Sequence, residues 1–518
     1  MGDRLLALLG LGREDRRVLL LCGPLFAIAT AVSIIVSSFT KALFLSAHPI
    51  SHLPWMFLGS GLFTAGASVL YVMAMERLAL HHRFMGLLAL AIASFSGLRL
   101  IYDWSEEWMS LIMFIWCGGI GHILIIQTWN MASGLLPARQ GKRLFPVFAA
   151  VSTLGAAVGG GLTPLMLNFD LPTQDLVWVA VVLLVLPLFI VRRVIRELAG
   201  ALPTVGGVER DTVVNAQTAK GLSKMSGGSE VSKGLQSLRE SPLLFRLALF
   251  VFLMQVASVL VDYQFSAELA AFGKEKIAGF LGKYYLVANI LTFIIALAAS
   301  SRVVRVVGIG LAIASTAIVI AIGSATYLAA TITEAFPHFW AIAGVSFFER
   351  ITSFALSKNA MQMLVTPIET RKGERAKTLI DGVIYRFATL AVSAVILVLM
   401  PEDKEAGLSF LRWMSPAAII ASVAVVVVAV RIGPHYRRTL FEALRARRLD
   451  TSGDPQLRQW VAKTAIAEVN PLTGAATSLA GGAEGGADAS SAATQTLTNA
   501  LVNNLAGGGA GAIPDAGQ

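Results

Sequence analysis

Apolar runs of about 15 to 28 residues, broken by short polar segments, recur twelve times along this chain. Each is near the roughly 20 residues that a helix needs to cross a bilayer. The first half reads as spans at Val18–Leu45, Leu53–Met75, Phe84–Leu100, Met109–Asn130, Leu144–Leu167 and Leu176–Val191. The second half reads as Leu243–Val261, Ile277–Ala299, Val307–Leu328, Phe336–Leu356, Gly382–Met400 and Pro416–Val430. The pattern predicts an all-α, polytopic membrane protein with about 12 transmembrane helices. The first run is too long for the 7 to 15 apolar residues of a signal peptide, so it is expected to stay as a helix.

Polar positions inside these spans fall in register. In the first span Thr30, Ser33, Ser37 and Lys41 recur every three or four residues, which places them on one face of a helix. Gln255, Ser258, Asp262 and Ser266 repeat that spacing in the seventh span, 225 residues on from Thr30 to Gln255. Asn130 and Asn359 close the fourth span of each half in the same way. Two parallel six-helix pseudo-repeats joined by a long polar segment predict the major facilitator architecture, with the substrate held between the halves. A plainer reading of each stripe is that Ser and Thr bond back to the helix carbonyls and line nothing.

The expected division is a first six-helix bundle over residues 1–191, a polar, Gly-containing linker over 192–241, and a second bundle over 242–430. A basic segment follows over 431–473, then an Ala/Gly/Ser/Thr-rich tail over 474–518 of disordered composition. Within the basic segment Tyr436–Leu449 interleaves apolar residues with arginines, a pattern suited to lying along a leaflet as well as to a solvated positive flank.

The composition is 55% hydrophobic and 14% charged, far from the roughly 25% charged of soluble domains. The net charge of +10 sits in alternate connections, around Arg13, Arg16, Arg17, Arg139, Lys142, Arg143, Arg371, Lys372 and Arg375. The opposite connections carry Asp103, Glu106, Asp170, Glu334 and Glu402. That asymmetry predicts cytoplasmic termini in a bacterial inner membrane, and it explains the basic balance without nucleic acid. Cys22 and Cys117 lie inside spans and match no metal-ligand spacing. No P-loop and no catalytic set can be assembled, so neither an enzyme nor a cofactor nor a metal is expected.

Charges inside a span are costly unless they face a cavity or a partner. Lys41, Arg99, Arg350 and Arg386 are such charges, and Lys283 is a further one in the eighth span. Ser37, Asn130 and Lys377 complete the candidate substrate contacts. Asp103, Asp262, Glu349 and Asp381 are candidate charge partners: Arg99 and Asp103 are four apart, and Asp381 precedes Arg386 by five. Cations outnumber acids in this set, which favours a small anionic substrate such as a phosphate or carboxylate. The glycines Gly155, Gly159, Gly160 and Gly161 read as close-packing residues between helices.

Three segments resemble one family: WNMASGLLPARQGKRLF from Trp129 to Phe145, VDYQF from Val261 to Phe265, and RAKTLIDGVIYR from Arg375 to Arg386. They are similar, in order and position, to the bacterial and plastid ATP/ADP translocases and their wider bacterial relatives. The resemblance implies a twelve-helix carrier that exchanges nucleotides without hydrolysing them. It also implies that Lys41 lies in the transport path and that Lys377 belongs to the lysine-containing segment before the eleventh helix. Apart from membrane lipid, a small anion is the only partner expected. Rival expectations are a carrier of a lysolipid or other organic anion, and a non-transporting anchor or sensor whose tail recruits a partner.

Overall fold

The computed structural model describes residues 13–75, 80–136, 138–198, 236, 238–239, 241–298, 309–334, 336–365 and 379–445. In the first half α1 (Arg13–Ala47), α2 (Leu53–Met75), α3 (Leu80–Ile101), α4 (Glu106–Leu135), α5 (Ala138–Leu167) and α6 (Leu176–Leu198) follow one another. In the second half come α7 (Pro242–Leu269), α8 (Lys274–Ala298) and α9 (Ile309–Thr333). The next helix, α10, runs from His338–Thr352 through a π turn, Ser353–Ser357, into Lys358–Val365. A second π turn, Leu379–Ile384, opens α11 and leads into Tyr385–Leu399. A short α12 (Lys404–Arg412) precedes α13 (Ser415–Arg445).

Each expected span coincides with a helix, and most helices outrun their apolar stretch. Caps account for part of the excess: the Ser241 side chain accepts from the Leu244 backbone N–H and starts α7, and Asp403 does the same for Ala406 in α12. The basic segment is a continuation rather than a separate surface helix, because α13 continues without a break through Tyr436 to Arg445. Likewise α6 runs to Leu198, past the expected end of the first bundle. The remainder of the expected linker, apart from residues 236, 238–239 and 241, and the tail lie outside the described residues.

Ten of the described helices are long and apolar enough to cross a bilayer; α2, with 23 residues, and α11 complete twelve spans. Burial separates inner from outer helices. The most apolar window of α1 is 67% buried, against 28% for α3, so α1 runs through the core while α3 faces outward. Leu90 on α3, Val182 and Phe189 on α6, and Ile420, Val423 and Val427 on α13 are exposed large apolar residues suited to lipid. Among the described residues six exposed tryptophans, Trp55, Trp104, Trp108, Trp178, Trp340 and Trp413, all sit at the end of the bundle opposite the start of α1. Tryptophan favours the headgroup level, so these rings mark one membrane interface. We call this the far end and the other the near end.

At the near end, ion pairs tie helices of the first half to each other. Asp15 meets Arg143 and accepts from Gln140, and Glu197 accepts from Arg193 and Arg17. The Arg193 hydrogen bond, and less so Arg17, holds the Glu197 carboxyl below its ordinary range.

The halves meet along two seams related by the pseudo-symmetry, α5 with α8 and α2 with α11, and α1 also touches α8. Backbone meets backbone in the first seam. A Cβ added at Gly160 would stand 2.5 Å from the Leu286 backbone N and 2.8 Å from the Gly282 carbonyl oxygen. On its other side α5 presents Gly155 and Gly159 to the α1 backbone at Ala27 and Ala31. The close-packing expected of these three glycines is therefore what they do, whereas Gly161 faces only the Leu286 side chain. Along the second seam the Leu390 side chain sits over Gly61 instead.

Candidate substrate cavity

Between the halves lies a cavity of about 780 Å³, walled by α1, α2 and α4 on one side and by α7, α8, α10 and α11 on the other. The two stripes read from the sequence face each other across it. Lys41 Nζ donates to Asp262 Oδ1 at 2.7 Å, joining α1 to α7. The lysine side chain is only 10% exposed, while that of Asp262 is 47% exposed, so the carboxylate stands in front of the ammonium. Phe265 flanks the ammonium, its ring centroid 5.4 Å away. One level away the Phe57 ring packs on Tyr263, with centroids 4.2 Å apart. These two contacts, the Gly160–Gly282 approach, and the rest of Ile50–His52 against α12 all fall in the far half of the bundle. They close the cavity there.

The plainer reading holds for part of each stripe. The Thr30 hydroxyl, with one proton to give, lies within 3.1 Å of the Phe26 and Ala27 carbonyls of its own helix and of the Ser152 carbonyl on α5, and Ser266 donates to the Asp262 carbonyl. Ser37 also bonds back, to Ser33, though it still borders the cavity. In the second stripe Gln255 reaches across to the Thr389 hydroxyl at 2.9 Å, and Ser258 donates to Glu349 Oε1 at 2.9 Å.

Cationic charge in the second half comes from α10 and α11. Arg350, expected from its mid-span position, lines the cavity with its guanidinium 4.6 Å from the Tyr285 ring centre and 5.4 Å from that of Phe354. Its buried Nε has no hydrogen-bond partner among the described residues. The Lys358 ammonium lies 3.6 Å from the Phe354 centroid, and Arg386 stands near its neighbour Tyr385. Among the described residues the lining holds four cations, Lys41, Arg350, Lys358 and Arg386, against two acids, Asp262 and Glu349.

Other expected contacts lie elsewhere. Arg99 is held between Asp103 and Asp175 beside the far end of α3, a structural ion-pair cluster away from the cavity, so neither Arg99 nor Asp103 belongs to the site. Lys283 is exposed and does not line the cavity, although its neighbour Tyr284 does. The Asn130 amide donates to Gln127 on its own helix and also lies outside the lining. Lys377 and the side chains of Asp381 and Asn359 lie outside the described residues. Conversely, the sequence reading passed over His122, Ser60, Thr64 and the Tyr284–Tyr285 pair as cavity residues. Tyr284 stacks on Phe265 and hydrogen-bonds to Ser346 at 3.0 Å. The signals were there: Ser60 and Thr64 are four apart in an apolar span, and His122, Tyr284 and Tyr285 are polar-tipped rings in the middle of apolar spans.

A closed seam at one end, a charged central hollow and two six-helix halves define a multi-pass membrane transporter of the major facilitator architecture. Solved structures share this fold. A mutant of the nucleoside transporter NupG aligns with a TM-score of 0.56 at 11% identity, over 80% of this chain and 99% of that one. A bacterial homologue of the iron transporter ferroportin, in an inward-facing state, aligns at 0.55 and 12% identity, over 82% and 99%. The inward-open xylose transporter XylE from E. coli aligns at 0.53 and 13%, over 79% and 95%. No curated protein matches the chain. The family model described as TLC ATP/ADP transporter matches residues 52–430, most of the chain, and the protein belongs to that family. Lys41 precedes the matched segment.

Proposed function

We propose that the protein exchanges nucleotides across a bacterial inner membrane by alternating access, with its near end in the cytoplasm. The observation that supports this most is the pairing of an excess of cations with aromatic rings in one cavity. Its volume falls within the roughly 300–1,000 Å³ typical of small-molecule sites. Guanidinium and ammonium groups suit phosphate oxygens, and Tyr285, Phe354 and Phe265 offer faces to a purine. The family to which the chain belongs supports the same cargo, and the arginines at the near end fit the positive-inside rule.

In this reading the Lys41–Asp262 pair is the far-side gate. A phosphate reaching Lys41 competes with Asp262 for the ammonium, which uncouples α1 from α7 and lets the halves rock. Arg350, Lys358 and Arg386 hold the anion on the other side.

The test is counter-exchange in proteoliposomes. Labelled nucleotide is expected to enter nucleotide-loaded vesicles faster than empty ones, and Lys41→Ala is expected to remove the difference. The double variant Lys41→Ala/Asp262→Ala removes the unpaired carboxylate and separates a folding defect from a transport defect: it should insert normally and still fail to exchange. Equal uptake into loaded, empty and variant vesicles would reject the nucleotide cargo.

A further inference from the structure

At the far end, where α1 turns into the short helical turn Ile50–His52, two imidazoles meet. His48 Nδ1 and His52 Nδ1 are 3.3 Å apart, and one ring nitrogen of each imidazole and a carboxylate oxygen of Glu107, at the start of α4, lie within 4.8 Å of one another. The transport reading uses the packing of this turn but gives these three side chains no role, and none of them lines the central cavity.

The tautomer of His48 follows from its second nitrogen. His48 Nε2 lies 2.9 Å from the Glu107 backbone carbonyl, which can only accept, so Nε2 carries the proton and Nδ1 presents a lone pair toward His52. Locking one imidazole nitrogen on a carbonyl so that the other is free to ligate is the usual outer-shell device of metal-bound histidines. The spacing agrees. Two nitrogens bound to one tetrahedral zinc at roughly 2.0–2.1 Å stand about 3.3–3.4 Å apart. Glu107 is exposed and borne on one flexible side chain, so its carboxylate is able to swing onto an ion that the two half-buried imidazoles hold. Without an ion, His52 Nδ1–H simply fills the His48 lone pair.

We infer that His48, His52 and Glu107 form a binding site for a divalent first-row transition-metal ion, with water at the fourth position. Two imidazoles and a carboxylate suit zinc and its neighbours rather than calcium or magnesium, which want oxygen alone. A nitrogen ligand just past the end of α1, another on the following turn and an oxygen from α4 would fasten these elements together. The same turn rests on α12 of the other half, so an ion bound here stiffens the contact that keeps the far end shut.

Zinc chloride is the probe, and its binding is read without reference to any cargo. Full-length protein in detergent, equilibrated with Zn(II) and desalted, is expected to retain one zinc per chain. Cobalt(II) in its place should give the visible absorption of a four-coordinate ion. His52→Gln should weaken binding by more than the roughly 10–100-fold that losing an outer-shell partner costs, with an unchanged elution profile. Glu107→Gln, an exposed change that does not threaten folding, should weaken it less. In vesicles, Zn(II) supplied to the far side should slow exchange by the wild type and not by His52→Gln. Wild-type protein that retains no zinc, or the same zinc content in wild type and both variants, overturns the site. Zinc that binds through these residues and leaves exchange unchanged overturns its role in holding the far end shut.

Discussion

Arg350→Leu is expected to lower nucleotide exchange by about two orders of magnitude while the protein still reaches the membrane. Truncating one partner of a buried, hydrogen-bonded charge pair costs roughly 2–5 kcal/mol, or about thirty-fold to several thousand-fold. Arg350 is placed to incur such a loss. Its Nε is buried without a partner among the described residues, and its plane is set by Tyr285 and Phe354. A group held in that state by packing, rather than by an acid, is available to a substrate oxygen. Arg350→Lys should recover little, because an ammonium keeps the charge but loses both the planar fork and the stacking. The comparison is Lys283→Ala, an exposed change outside the lining that should leave exchange untouched. Uptake rates normalised to inserted protein measure all three. Wild-type kinetics in Arg350→Leu would remove this residue from the transport path.

The second large effect is expected at the α5–α8 seam. Gly160→Ala places a methyl where the Leu286 amide nitrogen and Gly282 carbonyl oxygen already stand at 2.5 and 2.8 Å. Backbone atoms cannot rotate out of the way as a flexible side chain does, so the two helices must separate. Overpacking of an ordinary core costs typically 1–3 kcal/mol, and this seam belongs at or above the upper end because it joins the halves. A lower melting temperature in detergent is expected, together with a greater loss of exchange than of inserted protein. Gly66→Ala, with open space around the new atom, is the matched control and should do neither. If Gly160→Ala melts and transports like the control, then the seam is not a rigid joint.

The helices were readable from sequence because bilayer-length apolar runs leave few alternatives; α2 matches from Leu53 to Met75. The nine-residue α12 was missed, since KEAGLSFLR is too short and too charged to register as a span. The π turns in α10 and α11 left no trace either, because their residues, SFALS and LIDGVI, carry no pattern that distinguishes a π turn from an α turn. Within the site, periodicity gives the face of a helix but not what stands opposite. Lys41 and Asp262 belong to stripes that meet, whereas Thr30 and Ser266, on the same stripes, spend their hydroxyls on nearby carbonyls. Arg99 could be seen as a charge near a span end, but Asp175, which shares it, is 76 residues away. Phe265 was invisible because a plain aromatic ring in an apolar run offers no contrast.

The π turn at Ser353–Ser357 lies between Arg350 and Lys358, the two cations that α10 contributes to the cavity. An α-helix advances by about 100° per residue, and isolated π turns inside helices recur at functional positions. If Ser353–Ser357 reverted to α, the stretch from Lys358 onward would rotate by roughly that angle relative to Arg350. Phe354 and Lys358, four residues apart, would stay neighbours on one face, and the pair would turn away from Arg350 as a unit. A register change in one helix would therefore alter the angle between the two cations that α10 shows to a bound anion, without moving either end of the bundle.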